Sequence, residues 1–144
     1  MIDETTLKEH VSNYDLCFCD QCPKHTHCLR WLAGQYVPAT RQLVTCINPH
    51  GELVATDQCP AYRDDTPQRV ARGMVHFYDE MPRRLEVSIK SQLIAYFTRV
   101  GYYKMRKGDR PITAETQQVI EQVCRAHGWT QQLQFDKYVE ELIW

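Results

Sequence analysis

Apolar residues along this chain fall into two regimes. Up to about residue 65 they are scattered among cysteines, histidines and polar positions, and only short runs keep a period. From Thr66 onward they recur every three or four residues, the spacing that gathers side chains on one face of a helix. Thr66-Pro67 offers a capping side chain and a first-turn proline, and Val70, Met74, Phe77 and Met81 follow at helical intervals. A helix is therefore predicted from Thr66 to about Pro82. Leu85, Ile89, Leu93 and Tyr96 make the stripe of a second helix. Gly101 to Lys107 suffices for two helical turns and closes on Gly108. Thr113 caps a helix striped by Ile120, Val123, Cys124 and His127, with Gly128 at its end, and Thr130 caps a last one carrying Leu133, Tyr138 and Leu142.

The first half reads differently. A short helix is expected over Thr5–Val11, then a loop interrupted by Pro23, then a helix from about His25 to Ala33 that stops on a left-handed Gly34. Leu43–Ile47 and Glu52–Thr56 flank Asn48-Pro49-His50-Gly51, a hairpin signal. An isolated hairpin is marginal in water, so it must lean on the neighbouring cysteine-rich segment or on Cys59. No repeat or low-complexity linker divides the chain. The expected fold is mainly α with one small β-hairpin. A cysteine-rich metal-binding module (residues 1–65) packs on a helical domain (residues 66–144) that contains a helix-turn-helix-like segment.

Composition narrows the class. Of the 144 residues, 43% are hydrophobic and 24% charged, which excludes wholesale disorder. No apolar run approaches the roughly 20 residues needed to span a bilayer, and the acidic start Met1-Ile2-Asp3-Glu4-Thr5 lacks the apolar core of a secretory signal. A cytoplasmic protein without a membrane partner is expected. The net charge of −1 conceals an asymmetry: eight Lys/Arg lie between Arg83 and Arg110, opposed only by Glu86 and Asp109. A basic stretch in a near-neutral chain is a candidate nucleic-acid footprint, although a solvated helix face is the commoner fate of such charge.

Seven cysteines are many for this length and odd in number. In a reducing compartment, metal binding is favoured over a disulfide framework. Cys17, Cys19, Cys22 and Cys28, with His25 and His27, crowd into twelve residues, and Cys59 follows the expected hairpin. Thiolates and imidazoles are the ligands of tetrahedral structural zinc, and a module with so little apolar area gains stability from such a staple. Cys19-x2-Cys22 and Cys17-x4-Cys22-x5-Cys28 are equally usable sets, with Cys59 as fourth ligand in both. Cys22-Pro23 and Cys59-Pro60 echo the Cys-Pro of ferredoxins, so a 4Fe-4S cluster is the alternative to Zn2+. Cys46, in a β-rich run, and Cys124, on a helical stripe, read as core; His25 and His27 read as solvated or supporting groups.

The segment Leu93 to Gly108 can be laid on a helix-turn-helix. Ala95 falls where the motif needs a small residue at the helix crossing, Val100 opens the turn, and Met105 anchors the second helix. Arg99 stands where such turns usually carry glycine. In this frame Arg99, Tyr102, Tyr103, Lys104, Arg106, Lys107 and Arg110 are the residues offered to double-stranded DNA, as phosphate or base contacts. An ordinary helical bundle with packed tyrosines competes with it.

Tyr14 with Cys17, Cys22-Pro23, Cys28-Leu29-Arg30, Cys59-Pro60-x-Tyr62-Arg63, Tyr102-Tyr103-x-x-Arg106-Lys107-Gly108 and Tyr138-Val139-Glu140 together resemble a family of small uncharacterised bacterial proteins, a domain of unknown function, over nearly the whole chain. The resemblance implies Cys17, Cys22, Cys28 and Cys59 as the recurring metal set and Cys19 as an extra. It implies no activity. No glycine-rich phosphate loop and no carboxylate–histidine constellation argues for an enzyme. The expectation is a metal-stapled DNA-binding protein, a transcriptional regulator in type. The alternatives are a protein-interaction module whose partner is another protein, and an iron–sulfur redox protein.

Overall fold

A computed structural model describes residues 1–144. Its elements are α1 (Glu4–His10), α2 (Leu29–Gly34), β1 (Gln68–Arg72), α3 (Arg83–Phe97), α4 (Arg99–Lys107), α5 (Ala114–Ala126) and β2 (Lys137–Glu141), with a 3-10 turn at His25–His27 ahead of α2. The protein is mainly helical with one small antiparallel sheet of two strands. No helix is long and apolar enough to cross a membrane. The chain divides into two compact units, Met1–Thr66 with Leu142–Trp144, and Pro67–Glu141.

In the second unit, α3 buries Ile89 and Leu93 completely, but Tyr96, in the same predicted stripe, is exposed. Helix α3 stops at Thr98, whose φ of 66° no helix accommodates. The Thr98 hydroxyl accepts the Gly101 N–H at 3.2 Å and so caps α4. Gly108, at φ 89°, ends α4, and the Asp109 N–H returns to the Lys104 carbonyl at 2.9 Å. Thr113 caps α5 through the Thr116 N–H, and Gly128 closes it in the left-handed region. Tyr102, Met105, Ile112, Ile120 and Cys124 complete the core, and burial pushes the Cys124 thiol up to about 11.

The predicted helix from Thr66 does not form. Gln68–Arg72 is strand β1, and Gly73 at φ 86° breaks the chain between Val70 and Met74. The Asp136 carboxylate then accepts the N–H groups of Val75 and His76 at 3.0 and 3.2 Å, which stabilises a turn where the helix was expected. Val70, Met74, Phe77 and Met81 are all buried nonetheless, so their spacing reports the core and not a helix. The last predicted helix is replaced by β2. It pairs with β1 in the register Val70↔Val139 and Ala71↔Tyr138, placing Arg69 opposite Glu140, while Arg72 is ion-paired with Glu141. On its other side Ala71 exchanges two backbone hydrogen bonds with Ile112, at 3.0 and 2.9 Å.

The predicted hairpin at 43–56 is also absent. Leu16 bridges to Cys46 through the Leu16 N–H to Thr45 carbonyl and Ile47 N–H to Leu16 carbonyl bonds, at 3.0 and 2.8 Å. Residues 48–56 fold as successive tight turns, with Leu53 and Ala55 both at φ 62°. Each turn satisfies its own backbone, so no second strand is available. The predicted helix from His25 is divided at Cys28, which is extended (φ −107°, ψ 116°). Gly34 is the last residue of α2 and is not left-handed. It is glycine because a Cβ there would lie 2.8 Å from the Cys17 carbonyl oxygen. The first unit's apolar core is Leu7, Val11, Leu16 and Ala33. Against it the Trp144 indole stacks on the His10 ring at 3.6 Å and meets the Tyr14 ring edge-on at 5.3 Å.

The hydroxyls of Tyr78 and Tyr102 bond to each other at 2.8 Å inside the second unit. Tyr102→Phe leaves the Tyr78 hydroxyl buried without a partner, an expected cost of about 1–3 kcal/mol in chemical denaturation, whereas replacing both tyrosines by Phe costs less than either single change. Equal or additive losses would remove this pair from the account of the core.

Candidate functional site

The cysteine-rich segment is wound by short local hydrogen bonds. The N–H groups of Cys22, His25 and Cys28 reach the carbonyls of Cys19, Cys22 and His25 at 3.2, 3.2 and 3.1 Å. At Cys28 the chain turns extended and bridges to Asp64, through the Leu29 N–H to the Arg63 carbonyl at 2.8 Å and the Asp65 N–H to the His27 carbonyl at 3.2 Å. This bridge brings Cys59-Pro60 back to the first cysteines. Arg30 secures both sides. Its Nε donates to the Ala61 carbonyl at 2.9 Å, its Nη1 donates to the Asp15 carbonyl at 2.8 Å, and its guanidinium lies 4.4 Å from the Tyr14 ring centre.

Between these segments lies a cavity of about 20 Å³, bordered by Cys17, Cys22, His25, Cys28 and Cys59, with Arg30, Trp31 and Tyr62 among its walls. A space of that size holds about one water or one ion. The four thiols expected to act together thus border one space. No group of three or more Cys, His, Asp or Glu side chains closes on a single point as an ion-holding set. The donor chemistry fits Zn2+, since thiolate and imidazole are its preferred ligands. Burial pushes the Cys17 thiol up to about 11, with Cys19 and Cys28 as neighbours that would repel its negative charge. A bound cation reverses that balance, because it favours the thiolate.

The remaining sulfurs are elsewhere. Cys19 does not border the cavity. Cys46, expected in the core, is exposed, because its segment makes one bridge and is covered by no second strand. Cys124 lies in the core of the second unit, as its stripe suggests. The His27 ring is exposed and 3.3 Å from the Asp65 carboxylate. The role of Arg30 is not legible in the spacing of cysteines; only its long-range carbonyl contacts reveal it.

On α4 the sequence sorts by face. Gly101, Tyr102 and Met105 point inward, whereas Arg99, Lys104, Lys107 and, just beyond the helix, Arg110 are exposed; Tyr103 and Arg106 are half-buried. Lys90 of α3 lies 5.8 Å from the Tyr103 ring centre. Tyr102, expected on a DNA-reading surface, is fully buried because it sits on the core stripe of α4. The helix-turn-helix frame meets the structure at Met105, which is buried, and at Gly108, which ends α4, but Ala95 and Val100, which it needs inside, are exposed. One residue, Thr98, separates the helices where that motif has a turn of three or four.

Residues 1–144 match the description "Family of unknown function (DUF6078)". The chain belongs to the DUF6078 family. Comparison with curated proteins and with solved structures gives no match. DUF6078 membership brings no activity with it, so a function for this member must be argued from its own side chains.

Arg30→Lys keeps the charge but not the fork that spans two carbonyls. Urea unfolding followed at the first unit should show a loss of about 1–3 kcal/mol for this change. A variant as stable as the parent would show that the two segments hold together without Arg30.

Proposed function

We propose that the first unit is a structural zinc module and that the outer face of α4 contacts a nucleic-acid backbone. The observation that carries the zinc proposal is the single atom-sized cavity bordered by Cys17, Cys22, Cys28 and Cys59, residues drawn from two separate stretches of chain. A unit whose fully buried aliphatic residues are Leu7, Val11, Leu16, Leu29 and Ala33, edged by half-buried aromatics and without a regular sheet of its own, gains stability from a cross-link at this place. When bound, Zn2+ supplies a closed tetrahedral anchor and no reaction. Cys28, fixed by the Asp64 bridge, and Cys59, carried on the loop that Arg30 holds, would supply thiolates from the two stretches. A reducing compartment such as the cytoplasm keeps such thiols available.

Purified under reducing conditions, the chain is expected to hold one zinc by elemental analysis and to be colourless. Cys28→Ser and Cys59→Ser should each empty the site, and Cys46→Ser should not. A brown protein whose visible absorbance follows its iron content would replace zinc by a cluster. Full metal occupancy in both the Cys28 and the Cys59 variants would overturn the donor set.

The nucleic-acid proposal is supported by the exposed row of Arg99, Lys104 and Lys107 on α4, continued by Arg110. Cations on one helix face suit phosphate contacts, which set affinity and its salt dependence but not sequence. With Tyr102 buried, sequence readout falls to Tyr103 and Arg106, which are half-exposed. A protein partner with an acidic surface would meet the same row. Fluorescence anisotropy with duplex DNA should show affinity that falls as salt rises, and Lys104→Ala with Lys107→Ala should flatten the logarithmic salt slope by about one unit per lost contact. Absence of binding at low salt would sink the proposal.

A further inference from the structure

From Val87 to Lys107 the chain carries no Asp or Glu, and its cations are interleaved with apolar and aromatic residues. On α4 these sort into two neighbouring stripes, because residues four and seven apart share a helix face. Val100, Lys104 and Lys107 form the exposed stripe, and Arg99, Tyr103 and Arg106 run beside it. Val100, at the end of the stripe nearest α3, is 68% exposed.

The last turn of α3 adds an aromatic ring at that end. Tyr96 is 63% exposed, yet its ring is held: it meets the Phe97 ring edge-on, 4.7 Å between centres. Phe97 is half-buried against the core, and its Cβ lies 3.9 Å from where a Gly101 Cβ would stand. The Arg110 guanidinium covers the same first turn of α4, its Nη1 2.9 Å from that point. Thr98 makes the corner at φ 66° and ψ 161°, a conformation that a non-glycine residue keeps only where its surroundings impose it. Tyr96, Arg99, Val100 and Arg110 thus gather at one corner, from which Lys104 and Lys107 lead away along α4.

Cations meet the phosphates of any nucleic acid, but an exposed aromatic face is met only by a base that has left its own stack. Duplex bases are stacked inside the helix, so a duplex would offer this corner its backbone alone. Reading a major groove needs a recognition helix with outward side chains, and here Tyr102 is buried and a single residue separates α3 from α4. We propose that the corner binds single-stranded nucleic acid: a base stacks on Tyr96 and lies against Val100, while flanking phosphates meet Arg99, Arg110, Lys104 and Lys107. This rests on the backbone contact proposed above and names the form of nucleic acid that the surface favours.

Fluorescence anisotropy of the full chain with labelled oligo-dT of about sixteen nucleotides, set against the dA·dT duplex of equal length, tests it. At the same low salt the single strand should bind at least about tenfold more tightly than the duplex, and both affinities should fall as salt rises. Tyr96→Ala should weaken single-strand binding about tenfold or more, and Tyr96→Phe, which keeps the ring, should stay within about threefold of the parent. A duplex bound as tightly as the single strand, or Tyr96→Ala holding the strand like the parent, would overturn the inference and leave the backbone contact standing. Polyglutamate of equal charge displacing the strand as well as unlabelled oligo-dT does would overturn it in favour of an acidic protein surface. A chain that binds neither strand nor duplex would remove the backbone contact itself.

Discussion

The pair of backbone hydrogen bonds joining His27–Leu29 to Arg63–Asp65 is the constraint on which the first unit depends. Without it, Cys59 and the early cysteines are strangers in sequence, and nothing regular connects them. With it, Arg30 on the first turn of α2 reaches the Ala61 carbonyl on one side and the Asp15 carbonyl on the other. Gly34 lets α2 approach the Cys17 carbonyl closely enough for this to happen. The cavity and its thiols follow from these few contacts, made almost entirely by backbone and by one guanidinium.

The helices were most legible where their causes are local. Thr113 and Gly128 bound α5, Gly108 ends α4, and Ile89 and Leu93 mark the inner face of α3. Legibility failed where a distant group decides. Val70 to Met81 has helical spacing, but the Asp136 carboxylate and the β2 strand, both far along the chain, impose strand and turn instead. The run at 43–47 has β character and finds its partner in Leu16, not in the stretch after the turn. Thr98 illustrates a third case: its positive φ defies its own residue type and is visible only in the folded backbone.

For the candidate site, residue chemistry was readable and residue selection was not. The count and crowding of cysteines singled out the segment, and the family resemblance singled out four of them, all of which border one cavity. One imidazole among six histidines has no distinguishing spacing, so the sequence alone leaves His25 with the solvated or supporting groups. The basic stretch kept its cations on the surface, yet the tyrosine beside them turned inward, since α4 is amphipathic and Tyr102 falls on its core stripe.

Trp144 packs with His10 and Tyr14, so the first unit is built from both extremities of the segment described, and residues 67–141 are inserted between them. The host therefore cannot be cut out as one continuous stretch, because α1 and the indole that walls it lie on opposite sides of the insert.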